Sequence, residues 1–171
     1  MKKQQKGFSL IELLIVVAII LIIAAIAIPN LIKSKLAANE AGAAGTVRTI
    51  NTGEATFNSV CPQVGYSLAL ADMGPAGATC PGGKGIIDTT LAGGNKSGYT
   101  YVETGVPNGA VPPVNDTFTV KATPAVLGTS GNRQFCSSQT NVIYFDPAGA
   151  ACKPDSVAAG VTTAGGPNVL Q

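Results

Sequence analysis

Of the side chains in this 171-residue sequence that could do covalent or metal chemistry, the four cysteines come first: Cys61, Cys80, Cys136 and Cys152. A zinc site would want paired Cys spacing or a His, and the chain has no His at all. An even number of cysteines in a small domain instead reads as a disulfide framework, which places that domain outside the cytoplasm. Four cysteines allow three connectivities; Cys61 with Cys80 and Cys136 with Cys152 are favoured because each pair closes a local loop. Catalysis would need a base poised beside a nucleophile. The acids Asp72, Asp88, Glu103, Asp116, Asp146 and Asp155 stand singly and read as solvated surface. The glycine-rich PGGKG at Pro81 to Gly85 lacks Walker spacing and follows no strand, so it reads as a turn. The triplets at Asn95 and Asn115 match the glycosylation pattern by its shortness and are assigned nothing. The expectation is no enzyme, no cofactor and no metal.

One further acid is out of place. Glu12 stands in GFSLIELL, and from Leu13 to Ile28 sixteen residues follow without a polar side chain. The 21 residues from Phe8 to Ile28 would make a helix of about 30 Å, the thickness of a bilayer's hydrocarbon core. Lys2, Lys3 and Lys6 precede them and predict a cytoplasmic N-terminus. These three are among the eleven basic residues; without them eight would face nine acids, so the basic character is local and no basic stripe points to nucleic acid. A secretory signal peptide cut after Ala27 is the simpler reading, but Glu12 would interrupt its apolar region and Pro29 would lie just past the cut. A plain anchor leaves Glu12 unexplained, since an acid at the centre of a spanning helix costs about 2.5 to 3.5 kcal/mol and somewhat less near its end.

The stretch KGFSLIELLIVVAIILIIAAIAIPNL resembles the N-terminus of type IV pilins and the related pseudopilins, with a class III signal sequence. The resemblance implies a leader, residues 1–7, that prepilin peptidase removes by cutting between Gly7 and Phe8, and N-methylation of Phe8. It implies that Glu12 serves assembly and that Pro29 is the helix-kinking proline. Physical chemistry gives Glu12 a role in this setting. Cleavage creates an amine on Phe8, one helical turn from Glu12 on the same face, and a carboxylate is favoured near a helix N-terminus. The amine it meets is either its own or a neighbouring subunit's, and a buried charge left unpaired would penalise misaligned subunits.

Downstream, Ala43, Val47, Ile50, Glu54 and Phe57 recur at helical spacing, so the helix is expected to run from Phe8 to about Ser59, bending at Pro29 and weakened by Gly42, Gly45 and Gly53. Residues 8–29 form the membrane and filament-core half, residues 30–59 the amphipathic half, and residues 60–171 a globular head. The head begins with an αβ-loop containing a short helix near Ser67 to Asp72. Candidate strands are Gly85–Leu91, Gly98–Thr104, Thr117–Thr123, Asn132–Ser138 and Asn141–Asp146, with Tyr99, Val102, Phe118, Val120 and Phe135 as candidates for the buried face. The resulting class is α+β and pilin-like: a long N-terminal helix, its apolar half protruding, packed on an antiparallel sheet of about four strands. A Cys136 to Cys152 bridge would bound a C-terminal loop, as in the family.

The reading that follows is a structural subunit of a type IV pilus, polymerised with copies of itself for adhesion, motility or DNA uptake. Its partners would be prepilin peptidase, the inner-membrane pilus assembly machinery and, before assembly, the membrane. It would sit first in the inner membrane and then in an extracellular filament. The rivals are a pseudopilin of a type II secretion system, with a periplasmic pseudopilus, and an anchored or secreted binding module that never polymerises.

Overall fold

The computed structural model describes residues 8–109 and 114–147, and the backbone of residues 168 and 169. The expected leader, Cys152 and most of the expected C-terminal loop lie outside these residues. The chain divides into two compact units, Met1–Lys35 and Leu36–Gln171. Helix α1 spans Leu10–Val60 and continues through Pro29, whose ring nitrogen has no hydrogen to offer the carbonyl of Ala25. In the first unit every large apolar side chain from Phe8 to Ile32 is at least 46% exposed. The helix is long and apolar enough, by length and composition, to cross a membrane.

The second unit is built on the C-terminal part of α1. Ala43, Val47, Ile50, Glu54 and Phe57 are fully buried, as their spacing leads one to expect. Against them lies one antiparallel sheet whose strands follow chain order: β1 (Asn95–Lys96), β2 (Tyr99–Pro107), β3 (Asn115–Pro124), β4 (Arg133–Ser138), β5 (Tyr144–Pro147) and β6 (Asn168–Val169). Four of these strands are four residues or longer, each neighbour is an antiparallel partner, and the connections from β1 to β5 are short. Tyr99, Tyr101, Phe118, Val120, Ala122 and Phe135 face the core. The rings of Tyr99 and Phe135 lie 6.0 Å apart at a tilt.

Two expectations are corrected. Val102 is 55% exposed, because the period of two in β2 turns Tyr99, Tyr101 and Glu103 inward and leaves Val102 outside. Residues 85–91 form no strand. Ile86 and Ile87 donate backbone hydrogen bonds to the Met73 carbonyl, and Asp88 then caps a short helix, α3 (Thr89–Ala92), accepting from Leu91 N at 2.8 Å. The short helix expected near residues 67–72 is α2 (Leu70–Met73), and its Leu70 and Met73 are buried.

Residues 61–94, between α1 and β1, form the αβ-loop. Cys61 and Cys80 are joined by a disulfide that closes a loop across a sequence separation of 19. Cys136 is also disulfide-bonded, and its expected partner lies outside the described residues. The segment 64–68 is laid along the sheet. Asn115 N donates to Val64 O at 2.8 Å, Tyr66 N to Asn115 O at 3.0 Å, and the Asn115 side chain to Tyr66 O at 2.8 Å. The Tyr66 ring meets Phe118 at 4.8 Å. At the far end of the sheet, Asn39 donates to Ser130 O at 2.9 Å and Glu40 accepts from Asn132 N at 2.8 Å, fastening the β3–β4 connection to α1.

A loop of this length, once cross-linked, loses unfolded-state entropy worth about 3 kcal/mol. Replacing Cys61 and Cys80 together by Ser should therefore lower the head's stability by about that amount. Urea unfolding followed by circular dichroism reads it; an unchanged midpoint would show that the backbone bonds to Asn115 hold the loop without the bridge.

Candidate functional site

The N-terminal turn is built by a few residues. Ser9 immediately precedes the first helical residue, and its N–H donates to Glu12 Oε2 at 3.2 Å, while its carbonyl accepts from Leu13 N at 3.3 Å. Ser9 and Glu12 thus form one half of a capping box, in which an acid at the third helical position reaches back to a free backbone donor. The signal is present in the sequence as S-x-x-E, and reading GFSLIELL for its acid alone misses it. Its consequence is directional: the Glu12 carboxylate is turned toward the start of the chain, to the amide next after that of Phe8. Phe8 itself is 89% exposed.

C-terminal to this turn lies the apolar run. Asn30 donates its side-chain amide to Ile26 O at 3.1 Å, one turn back, beside Pro29. Exposed apolar surface of this extent marks a segment made for lipid or for protein. Gly7 lies outside the described residues, whereas Phe8, Glu12 and Pro29 fall on or beside one element.

A second cluster lies inside the head. The sequence presents Glu54 and Glu103 as unrelated, one as a member of a helical stripe on α1 and the other as solvated surface on β2. Both are buried, Glu103 at 6% exposure, and Ser67 of the αβ-loop stands between them. Ser67 N donates to Glu54 Oε2 at 2.9 Å and Ser67 Oγ to Glu54 Oε1 at 2.5 Å; Ser67 Oγ also lies 3.0 Å from Glu103 Oε1. A hydroxyl has one hydrogen to donate. Whichever carboxylate receives it, the contact to the other is made by a proton carried on that other carboxyl. Burial pushes the Glu103 carboxyl well above the usual carboxylate range, and the adjacent Glu54 pushes it further the same way. Glu103 Oε2 is buried and has no hydrogen-bond partner among the described residues. Among those residues no group of three or more His, Cys, Asp or Glu could hold a metal.

Comparison with known proteins bears on the first of these two clusters. Residues 2–28 match the family model described as the prokaryotic N-terminal methylation motif. The chain is 36% identical over 90 residues to the competence protein ComGC of Bacillus subtilis (strain 168), a match covering 50% of this chain and 90% of that protein. The chain belongs to the type IV pilin and pseudopilin family. It is also similar to the type IV major pilin protein PilA of Myxococcus xanthus (strain DK1622), at 46% identity over 56 residues. A third relative is the type IV wide pilus major component PilA4 of Thermus thermophilus, at 58% over 38 residues. These two matches take in 33% and 22% of the chain, and only 26% and 29% of the relatives' own lengths. No solved structure matches the chain.

In this pilin the acid pair sits at the crossing of helix, loop and sheet. Gly105, two residues beyond Glu103, lets the loop backbone approach β2; a Cβ there would collide with the Ser67 carbonyl. Removing the Ser67 hydroxyl would strip the pair of its side-chain donor. Ser67→Ala is expected to cost about 2 to 3 kcal/mol, against a few tenths for Ser59→Ala on the exposed end of α1, both measured by urea unfolding. Equal effects of the two substitutions would contradict the geometry.

Proposed function

We propose that the chain is the structural subunit of a type IV pilus: a membrane-inserted precursor that prepilin peptidase cuts between Gly7 and Phe8, that is N-methylated on Phe8, and that polymerises through its apolar helix. The observation that carries this reading is the methylation-motif match over residues 2–28 on a helix whose apolar side chains are left exposed. Such a surface partitions first into lipid and then against the same surface of neighbouring subunits, where close packing replaces acyl contacts. Residues 30–59 and the head from residue 60 then form the part in water. The basic leader keeps the N-terminus cytoplasmic, and the head emerges on the side where its cysteines oxidise. The inner-membrane assembly machinery is the partner that extracts the subunit, and the finished filament is extracellular.

Glu12 is the assembly residue in this scheme. Once Gly7 is gone, its carboxylate, already directed at the first backbone donors, has an α-amine within one turn. The same carboxylate is open to the amine of an incoming copy. In hydrocarbon, a carboxylate without a cation is disfavoured by about 3 to 5 kcal/mol, so a subunit seats only where the charges meet. Pro29, lacking its N–H, is the place where the packed helix yields.

A pseudopilin role takes support from the competence protein, which the chain matches over 90% of its length. A deletion strain examined for surface fibres and for protein export separates the two roles.

Glu12→Ala should leave membrane insertion and leader removal intact while reducing surface filaments at least about a hundredfold, which a loss of about 3 kcal/mol per subunit contact implies. Immunoblotting of membranes and electron microscopy of cells read the two halves of this expectation. Filaments in normal number would refute the role given to Glu12.

A further inference from the structure

We propose that Glu54 and Glu103 share one proton across Ser67, and that this buried acid pair is a proton-dependent latch fastening the 64–68 segment of the αβ-loop to helix α1 and strand β2. Four carboxylate oxygens meet in a region where Glu54 and Ser67 have no exposed surface and Glu103 has almost none. The donors that reach them are the amide and the single hydroxyl of Ser67. The amide goes to Glu54, and the hydroxyl's one hydrogen is within reach of Glu54 Oε1, of Glu103 Oε1 at 3.0 Å and of the Ala69 carbonyl at 3.3 Å, so both carboxyl contacts close only when one of the two carboxyls carries a proton and donates it to Ser67 Oγ.

Among the described residues no cation stands in for that proton. The ion pairs there join Lys96 to Asp88 and Arg133 to Glu40, and neither includes a member of the acid pair. The charged groups that bear on Glu103 are Glu54 from α1 and Asp72 from α2, and each raises the cost of ionising it. Asp72 is itself engaged in the loop, accepting from Leu68 N at 3.2 Å. Two buried carboxylates with like charges cannot both ionise while they share one hydroxyl. Ionising both would drive them apart, and Ser67 with its loop would lose the contact to one side.

The sign of the pH effect follows. Glu103 takes its proton at higher pH in the folded head than at its ordinary value of 4.5. The folded state then binds more protons than the unfolded one, and stability is full below that ordinary value and falls as pH rises above it. The chain has no His and its described cysteines are bridged, so between pH 5 and 9 no other described side chain is of a type that ordinarily titrates. The chain's α-amine also ordinarily titrates in this range, at about 7.7 to 8.0, and Glu103→Gln shares it, so the difference between the two proteins isolates the acid pair.

The test uses the full chain in detergent micelles, wild type and Glu103→Gln, unfolded in urea at steps from pH 5 to 9. For the wild type the folding equilibrium constant should fall with pH, at most about tenfold per unit, the limit for one proton. In Glu103→Gln, whose amide donates to Ser67 Oγ at every pH, it should change by less than about twofold per unit. A second measurement needs no variant that folds. With glutamate labelled at its side-chain carboxyl carbon, the four glutamates Glu12, Glu40, Glu54 and Glu103 give four resonances. At pH 7 one should sit at the position of an uncharged acid. Four ionised carboxylates, or equal pH slopes in the two proteins, would overturn the latch. So would a gain of wild-type stability on adding calcium that Glu103→Gln abolishes, which would mean that a cation rather than a proton joins the pair.

Discussion

The constraint on which the whole chain turns is that one helix serves two environments. The part of α1 between Leu10 and Ile32 carries apolar residues on every face, and the part from Ala43 to Phe57 buries a single stripe against a sheet. A helix that is hydrophobic all round is stable only where water is excluded. The first part therefore demands lipid or other copies of itself, and the second demands a head. Each remaining feature answers one of those demands. Ser9 and Glu12 finish the apolar end, where free amides would otherwise face hydrocarbon. The sheet, the αβ-loop and its disulfide cover the amphipathic end.

Acids appear at both ends, and the contrast between them is chemical. Glu12 is exposed in the single chain, and in the proposed assembly its partner is a positive charge. Glu54 has no exposed surface and its neighbour is another acid, so its solution is a proton and a serine rather than a cation. The proposed filament and the head therefore treat a carboxylate in opposite ways. In the proposed filament Glu12 would meet a new amine, whereas Glu103 meets a second acid, with no ion-paired cation among the described residues, and its carboxyl pKa is raised.

Much of this was legible in the sequence because it rests on local pattern. The length of the apolar run, the spacing of Ala43, Val47, Ile50 and Phe57, and the alternation in β2 and β3 are properties of neighbours along the chain. The Cys61 to Cys80 bridge was legible for the same reason, because it closes a local loop. What failed depends on which face wins. Alternation in YTYVE states that Val102 and Glu103 point oppositely, but not which one is inside; two tyrosines, with more area to bury, carried Glu103 in with them. The Glu54, Ser67 and Glu103 cluster joins residues separated by 13 and 36 positions, and no periodicity links them. Residues 85–91 went astray because apolar Ile86 and Ile87 outweighed the capping Asp88, a sequence signal that was there to be used.

The central claim is that the apolar helix becomes a filament subunit's N-terminus through one defined cut. Intact-mass and N-terminal peptide mass spectrometry of the protein isolated from cells tests it most directly. The account predicts a chain beginning at Phe8 and heavier by one methyl group on that residue. A chain beginning at Ile28, or one retaining Met1 through Gly7, would contradict it.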